Sequence, residues 1–154
     1  MVKISGHSLL YLSAAALAGF FMAVQGTINS ALGKEIGLTE TTFVVHLVAV
    51  LILIFVLFFQ VFQGENSIQL SMLWELPWYL YLGGILGVLI TYTVAFSIPQ
   101  LGVAVATTGI VAVQVSTAAL IDHLGILGME REPFSVMRLI GIIFLAVGVK
   151  LLLS

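Results

Sequence analysis

Five long, mostly apolar stretches run through the chain, separated by short polar breaks. They lie at about Ser8 to Leu32, Thr41 to Phe62, Pro77 to Ile98, Leu101 to Ile121 and Met137 to Leu153. A helix needs ~20 residues to cross a hydrocarbon core of ~30 Å, and each stretch meets or approaches that length, the fifth being the shortest. Continuous apolarity over such lengths lacks the two-residue alternation of an outer-membrane barrel strand. A lone apolar helix also closes its own backbone hydrogen bonds, as lipid requires. The pattern predicts an all-α, polytopic integral membrane protein, with residues 1–154 forming one domain of five transmembrane helices.

Composition agrees, because 61% hydrophobic and 8% charged residues would leave a soluble fold without a polar surface. The net charge of −2 and the lack of any Lys/Arg cluster argue against nucleic acid as a partner. With no cysteine there is no disulfide, no thiolate chemistry and no Cys-ligated metal, and no metal or cofactor is expected. Lys3 followed by an apolar run with Ala14, Ala15 and Ala16 resembles a signal peptide, but the run continues to a full spanning length and reads as the first helix.

The breaks are too small to hold an extramembrane active site. Gly33 to Glu40 is expected as a glycine-bounded turn, and Pro99-Gln100 as the corner of a tight helical hairpin. Gln63 to Leu76 forms a longer link with turn residues Asn66 and Ser67, followed by Trp74, Trp78, Tyr79 and Tyr81 as an interfacial aromatic belt. His123 to Val136, with Glu130-Arg131-Glu132-Pro133, is expected as a solvated loop. Five crossings put Lys3, Arg131 and Arg138 on one side and Lys34 and Lys150 on the other. That margin fixes no single orientation, so a cytoplasmic N-terminus and insertion in both orientations stay open. A chain holding one repeat of an inverted-repeat transporter rebuilds the symmetry by pairing with an inverted copy.

Polar residues within the spans cost free energy in lipid and tend to face protein or water. Gln25 and Asn29 lie four apart on one helix face, with Gly26 between them, and His46 falls early in the second span at the same depth. Tyr92 in the third span and Gln114 in the fourth extend the candidate substrate-binding set. The competing reading is interhelical hydrogen bonding, which is favoured for Thr91, Thr107 and Thr108 because threonine satisfies its hydroxyl on its own helix. Gly83 and Gly87, with Gly26, mark close helix packing. His46 and the adjacent Asp122 and His123 are the proton-coupling candidates, since histidine titrates near neutral pH. The place of Asp122 and His123 at a helix end equally suits an interfacial anchor, and neighbours on a helix point about 100° apart. His7, near the N-terminal interface, is assigned no role.

Five segments carry a family resemblance: Val24 to Asn29, Phe43 to Leu47, Leu82 to Val88, Ile98 to Val103 and Ile121 to Gly125. Taken in order, over almost the whole chain, they resemble the YdcZ family of the drug/metabolite transporter superfamily. The resemblance implies a half-length transporter of five helices, where longer relatives have ten in two inverted halves. It also implies a location in the bacterial inner membrane and an antiparallel dimer. Small multidrug-resistance proteins of the same superfamily use a glutamate in their first helix to exchange protons for cationic cargo; here the first span has no acid. A neutral, zwitterionic or amphipathic small molecule is the expected cargo.

The expected mechanism is alternating access by an inverted homodimer, or by a heterodimer with a homologue. Gln25 and Asn29 would bind cargo, His46 would bind cargo or carry the proton, and Tyr92 would form a wall. The alternative is a non-transporting assembly subunit whose polar residues only join helices. Catalysis is not expected, because no zinc-ligand motif, nucleophile elbow or phosphate-binding loop arranges the available His, Ser and Asp.

Overall fold

A computed structural model describes residues 6–64 and 74–153, with side-chain surroundings from Leu9 onward. Its long elements are five helices: α1 (Gly6–Ile36), α2 (Leu38–Phe62), α3 (Leu82–Leu101), α4 (Val103–Leu124) and α5 (Val136–Leu152). A 3-10 turn, Trp78–Tyr81, leads into α3. No strand occurs among the described residues. Four segments, Leu9–Ile36, Leu38–Phe62, Trp78–Leu101 and Val103–Leu124, are long and apolar enough to cross a membrane. α5 has 17 residues, about 25 Å of helix, and carries Arg138 near its start and Lys150 in its last turn. The protein is thus an all-α, polytopic membrane protein with four span-length helices and a shorter fifth.

Two of the connections differ from those expected. The Gly33–Glu40 turn contracts to Gly37 alone, because α1 continues through Lys34 and Glu35 and α2 starts at Leu38. The second corner falls on Gly102, not on Pro99-Gln100, which complete the last turn of α3. Proline removes one backbone donor from this last turn without ending the helix. Gly37 and Gly102 share one conformation, with φ 96°, ψ 158° and φ 79°, ψ 158°. That region is essentially confined to glycine. Each glycine N–H bonds back to the residue four before it, Gly33 or Ile98, and each glycine carbonyl accepts from the residue four after it, Thr41 or Ala106. One residue thereby closes one helix and opens the next, which limits the unpaired backbone that a membrane protein must place somewhere. Asn66 and Ser67, expected as turn residues, lie outside the described residues.

The chain divides into two compact units, one formed by Met1–Ala23 with Ser97–Ser154 and the other by Val24–Phe96. In the first, α4 packs against α5, and the buried residues are Ile98, Ala106 and Ala119. In the second, Ala95 is the one buried apolar side chain among the described residues, beside buried Asn29, Ser30, Thr41 and Thr42. Small side chains at contacts and outward-facing Leu, Ile, Val and Phe are what lipid selects, since burying leucine gains nothing over leaving it in acyl chains.

The α4–α5 loop is exposed over residues 126–136, as expected, and in addition folds back as a cap on α4. Gly125 ends α4 in the left-handed region (φ 63°, ψ 40°) and donates its N–H to the Ile121 carbonyl. The Glu132 N–H donates to the Asp122 carbonyl at 2.8 Å, and Arg131 Nε donates to the His123 carbonyl at 3.1 Å. Three carbonyls of the α4 terminus are therefore satisfied. Ser135 caps α5, its Oγ accepting the Arg138 N–H.

Candidate functional site

The polar interior of the Val24–Phe96 unit is the candidate site. Asn29 and Ser30 on α1 are 5% and 4% exposed, and Thr41 and Thr42 on α2 are 0% and 6% exposed, values that set them apart from the lipid-facing bulk of their helices. Thr42 returns its hydroxyl to the Leu38 carbonyl at 2.8 Å, the self-satisfying bond of a threonine in a helix. Thr41 has no such bond, and its Oγ1 is buried without a hydrogen-bond partner beside Gly33. An orphaned buried hydroxyl costs on the order of 1–3 kcal/mol unless something else meets it, which marks this part of the interior as polar and unsaturated.

His46 sits one turn beyond Thr42. Its Nδ1 lies 2.8 Å from the Thr42 carbonyl oxygen. A carbonyl only accepts, so Nδ1 donates, and in the neutral ring Nε2 keeps its lone pair. The other side of the ring meets α3: a Cβ built on Gly87 would stand 3.7 Å from Nε2. Gly87 on α3 thus lies beside Nε2, with room there for a small side chain only. Pairing His46 with Gly87 joins a predicted functional residue to a predicted packing residue, whereas Gly83, one turn earlier, has nothing within 4 Å of its would-be Cβ. Gly26 is buried on α1.

Other expected site residues are placed differently. Gln25 is exposed, on the surface of α1, although Asn29 four residues later is buried. Tyr92 is 40% exposed on α3. Gln114 is exposed and belongs to the other unit. Thr108 gives its hydroxyl to the Ala104 carbonyl, as its packing role requires.

Asp122 and His123 are drawn into the loop and do not pair with each other. Asp122 faces Arg138, with Oδ2 3.4 Å from Nη1, and the same guanidinium donates to Glu132. His123 Nδ1 accepts the Phe134 N–H at 3.2 Å, and the two rings meet edge to face at 6.4 Å. No group of three metal-ligating residues occurs among the described residues.

Sequence reasoning missed Ser30, Thr41, Thr42 and Arg138. Thr42 was detectable as a residue one helical turn before His46. Arg138 was detectable as a cation inside an apolar stretch, which needs an acid, with Asp122 ending the preceding stretch.

No curated protein and no solved structure matches the chain. Residues 10–151 match the family described as "Putative inner membrane exporter, YdcZ". That match covers nearly all of the five helices just described, and the chain belongs to the YdcZ family of inner-membrane exporters.

Proposed function

We propose that the chain exports a small neutral, zwitterionic or amphipathic molecule by alternating access, working as a dimer of inverted copies. The observation that carries this reading is the set of buried polar side chains in the Val24–Phe96 unit, hydroxyls and an amide without an acid, together with the half-buried His46 imidazole. Hydrogen-bonding groups without a fixed carboxylate suit a cargo that is not a simple cation. Asn29 and the Thr41 hydroxyl bind cargo, and His46 Nε2 either binds it or carries the coupled proton. One copy buries 6% of the apolar window in each of the first two spans and 11% in each of the next two, which leaves apolar surface open to lipid and to a second copy alike. Exposed Gln25, Tyr92 and Gln114 become cargo or subunit contacts once a second copy is present.

Export is tested by measuring accumulation of candidate compounds in everted membrane vesicles, with Asn29→Ala and His46→Ala compared with the parent. Loss of flux in correctly folded dimers supports the reading. Unchanged flux in both variants removes the site. A purified chain that stabilises against no compound and moves none supports a non-transporting assembly subunit.

A further inference from the structure

Between α4 and α5 lies a trough of about 340 Å³. Val115 and Ala118 line one side and Gly141 and Leu145 the other, while Asp122 and Arg138 stand at one end. The charged end coincides with the last turn of α4 and the first turn of α5, where the apolar span stops at Leu124. From there, seven residues along either helix, about 10 Å, the walls become purely apolar. The trough therefore runs from a charged mouth at the membrane boundary to an apolar floor, the same order as one leaflet of lipid.

The mouth carries both signs of charge, with the Arg138 guanidinium flanked by the Asp122 and Glu132 carboxylates. Arginine has five N–H donors. Here one bond goes to Glu132, and Nη1 is ion-paired to Asp122 at 3.4 Å without a hydrogen bond. Side chains at this mouth remain 33% (Arg138), 41% (Asp122) and 63% (Glu132) exposed, although Nη1 itself is buried and an outside group must reach the guanidinium past it.

We propose that this trough is a binding site for an aminophospholipid of the surrounding leaflet, phosphatidylethanolamine in chemical class. Its phosphate meets Arg138, its ammonium meets Asp122 and Glu132, and the upper part of one acyl chain lies along Ala118 and Gly141. Charge complementarity selects this occupant. An anionic headgroup would satisfy Arg138 but confront two carboxylates, and a free phosphate would leave the apolar trough empty. The trough residues belong to the other unit from His46 and the buried Asn29 and Thr41, and the proposal does not depend on transport.

The test uses the full chain reconstituted in vesicles of dioleoyl phosphatidylethanolamine and dioleoyl phosphatidylglycerol in equal amounts. After extraction in mild detergent, native mass spectrometry counts the lipids retained. Phosphatidylethanolamine is expected to be retained over phosphatidylglycerol by on the order of tenfold. Arg138→Gln and Gly141→Leu are expected to return the ratio to that of the vesicle. Gly141→Leu guards against misfolding, since a Cβ there meets nothing within 4 Å and the position lines the trough. Equal retention of both lipids, or a preference that survives both substitutions, overturns the proposal.

Discussion

His46 and Gly87 define how closely α3 approaches the candidate site: a Cβ at Gly87 would lie 3.7 Å from Nε2, an ordinary van der Waals distance. Gly87→Ala should therefore leave folding and export close to those of the parent. Gly87→Leu places three further carbons against the ring and should abolish export by displacing it or α3, at a cost of about 1–3 kcal/mol in stability. Flux in everted vesicles and unfolding in detergent measure the two effects. Because His46 is held by the Thr42 carbonyl, and not by its hydroxyl, Thr42→Val should keep the ring in place and preserve flux.

The two single-glycine corners predict a paired result. Alanine at Gly37 or Gly102 must hold a backbone conformation with φ 96° or 79°, and each substitution should lower stability by about 1–3 kcal/mol. At Gly102 nothing lies within 4 Å of a new Cβ, so the whole effect there is backbone strain; at Gly37 the flexible Glu40 carboxylate must also move. Gly109→Ala is the control, a helical position with equally open space, where alanine is neutral or stabilising by up to ~1 kcal/mol. Thermal unfolding in detergent distinguishes the three variants.

The Asp122–Arg138 pair joins the ends of α4 and α5, but both side chains are about a third or more exposed. Solvent screening limits such a pair, and a double-mutant cycle with Asp122→Asn and Arg138→Gln should give a coupling below about 1 kcal/mol. Arg138→Gln alone should also loosen Glu132, measurable as faster hydrogen exchange at the Glu132 and Phe134 amides.

Much of this architecture is legible in the sequence because lipid imposes one rule, that long apolar runs become helices. Five helices form along the apolar runs, although α1 runs on to Ile36 and α3 begins only at Leu82, and Asn29, His46 and Gly87 were recognisable as polar or small residues in such runs. The exact corners were not. Pro99 is the stronger sequence signal for a break, yet the chain turns at Gly102, where only the backbone of the folded chain demands positive φ. Nor does sequence spacing reveal that Asp122 finds Arg138 across a folded loop in preference to its neighbour His123. The burial of Ser30 and Thr41 and the exposure of Gln25 depend on how helices rotate about their axes, which an apolar run with a nearly uniform surface leaves unspecified.

Inverted pairing is the central element of the account, and the sequence contains no cysteine to complicate its test. Single cysteines at Gln100, beside the α3–α4 corner, and at Glu130, in the α4–α5 loop, are to be labelled in native membranes with an impermeant thiol reagent. Both positions are exposed, and neither change removes a Lys or Arg that sets orientation. Labelling of each position from both faces of the membrane is the predicted result. Labelling of each from one face only would contradict an inverted homodimer as the exporting unit.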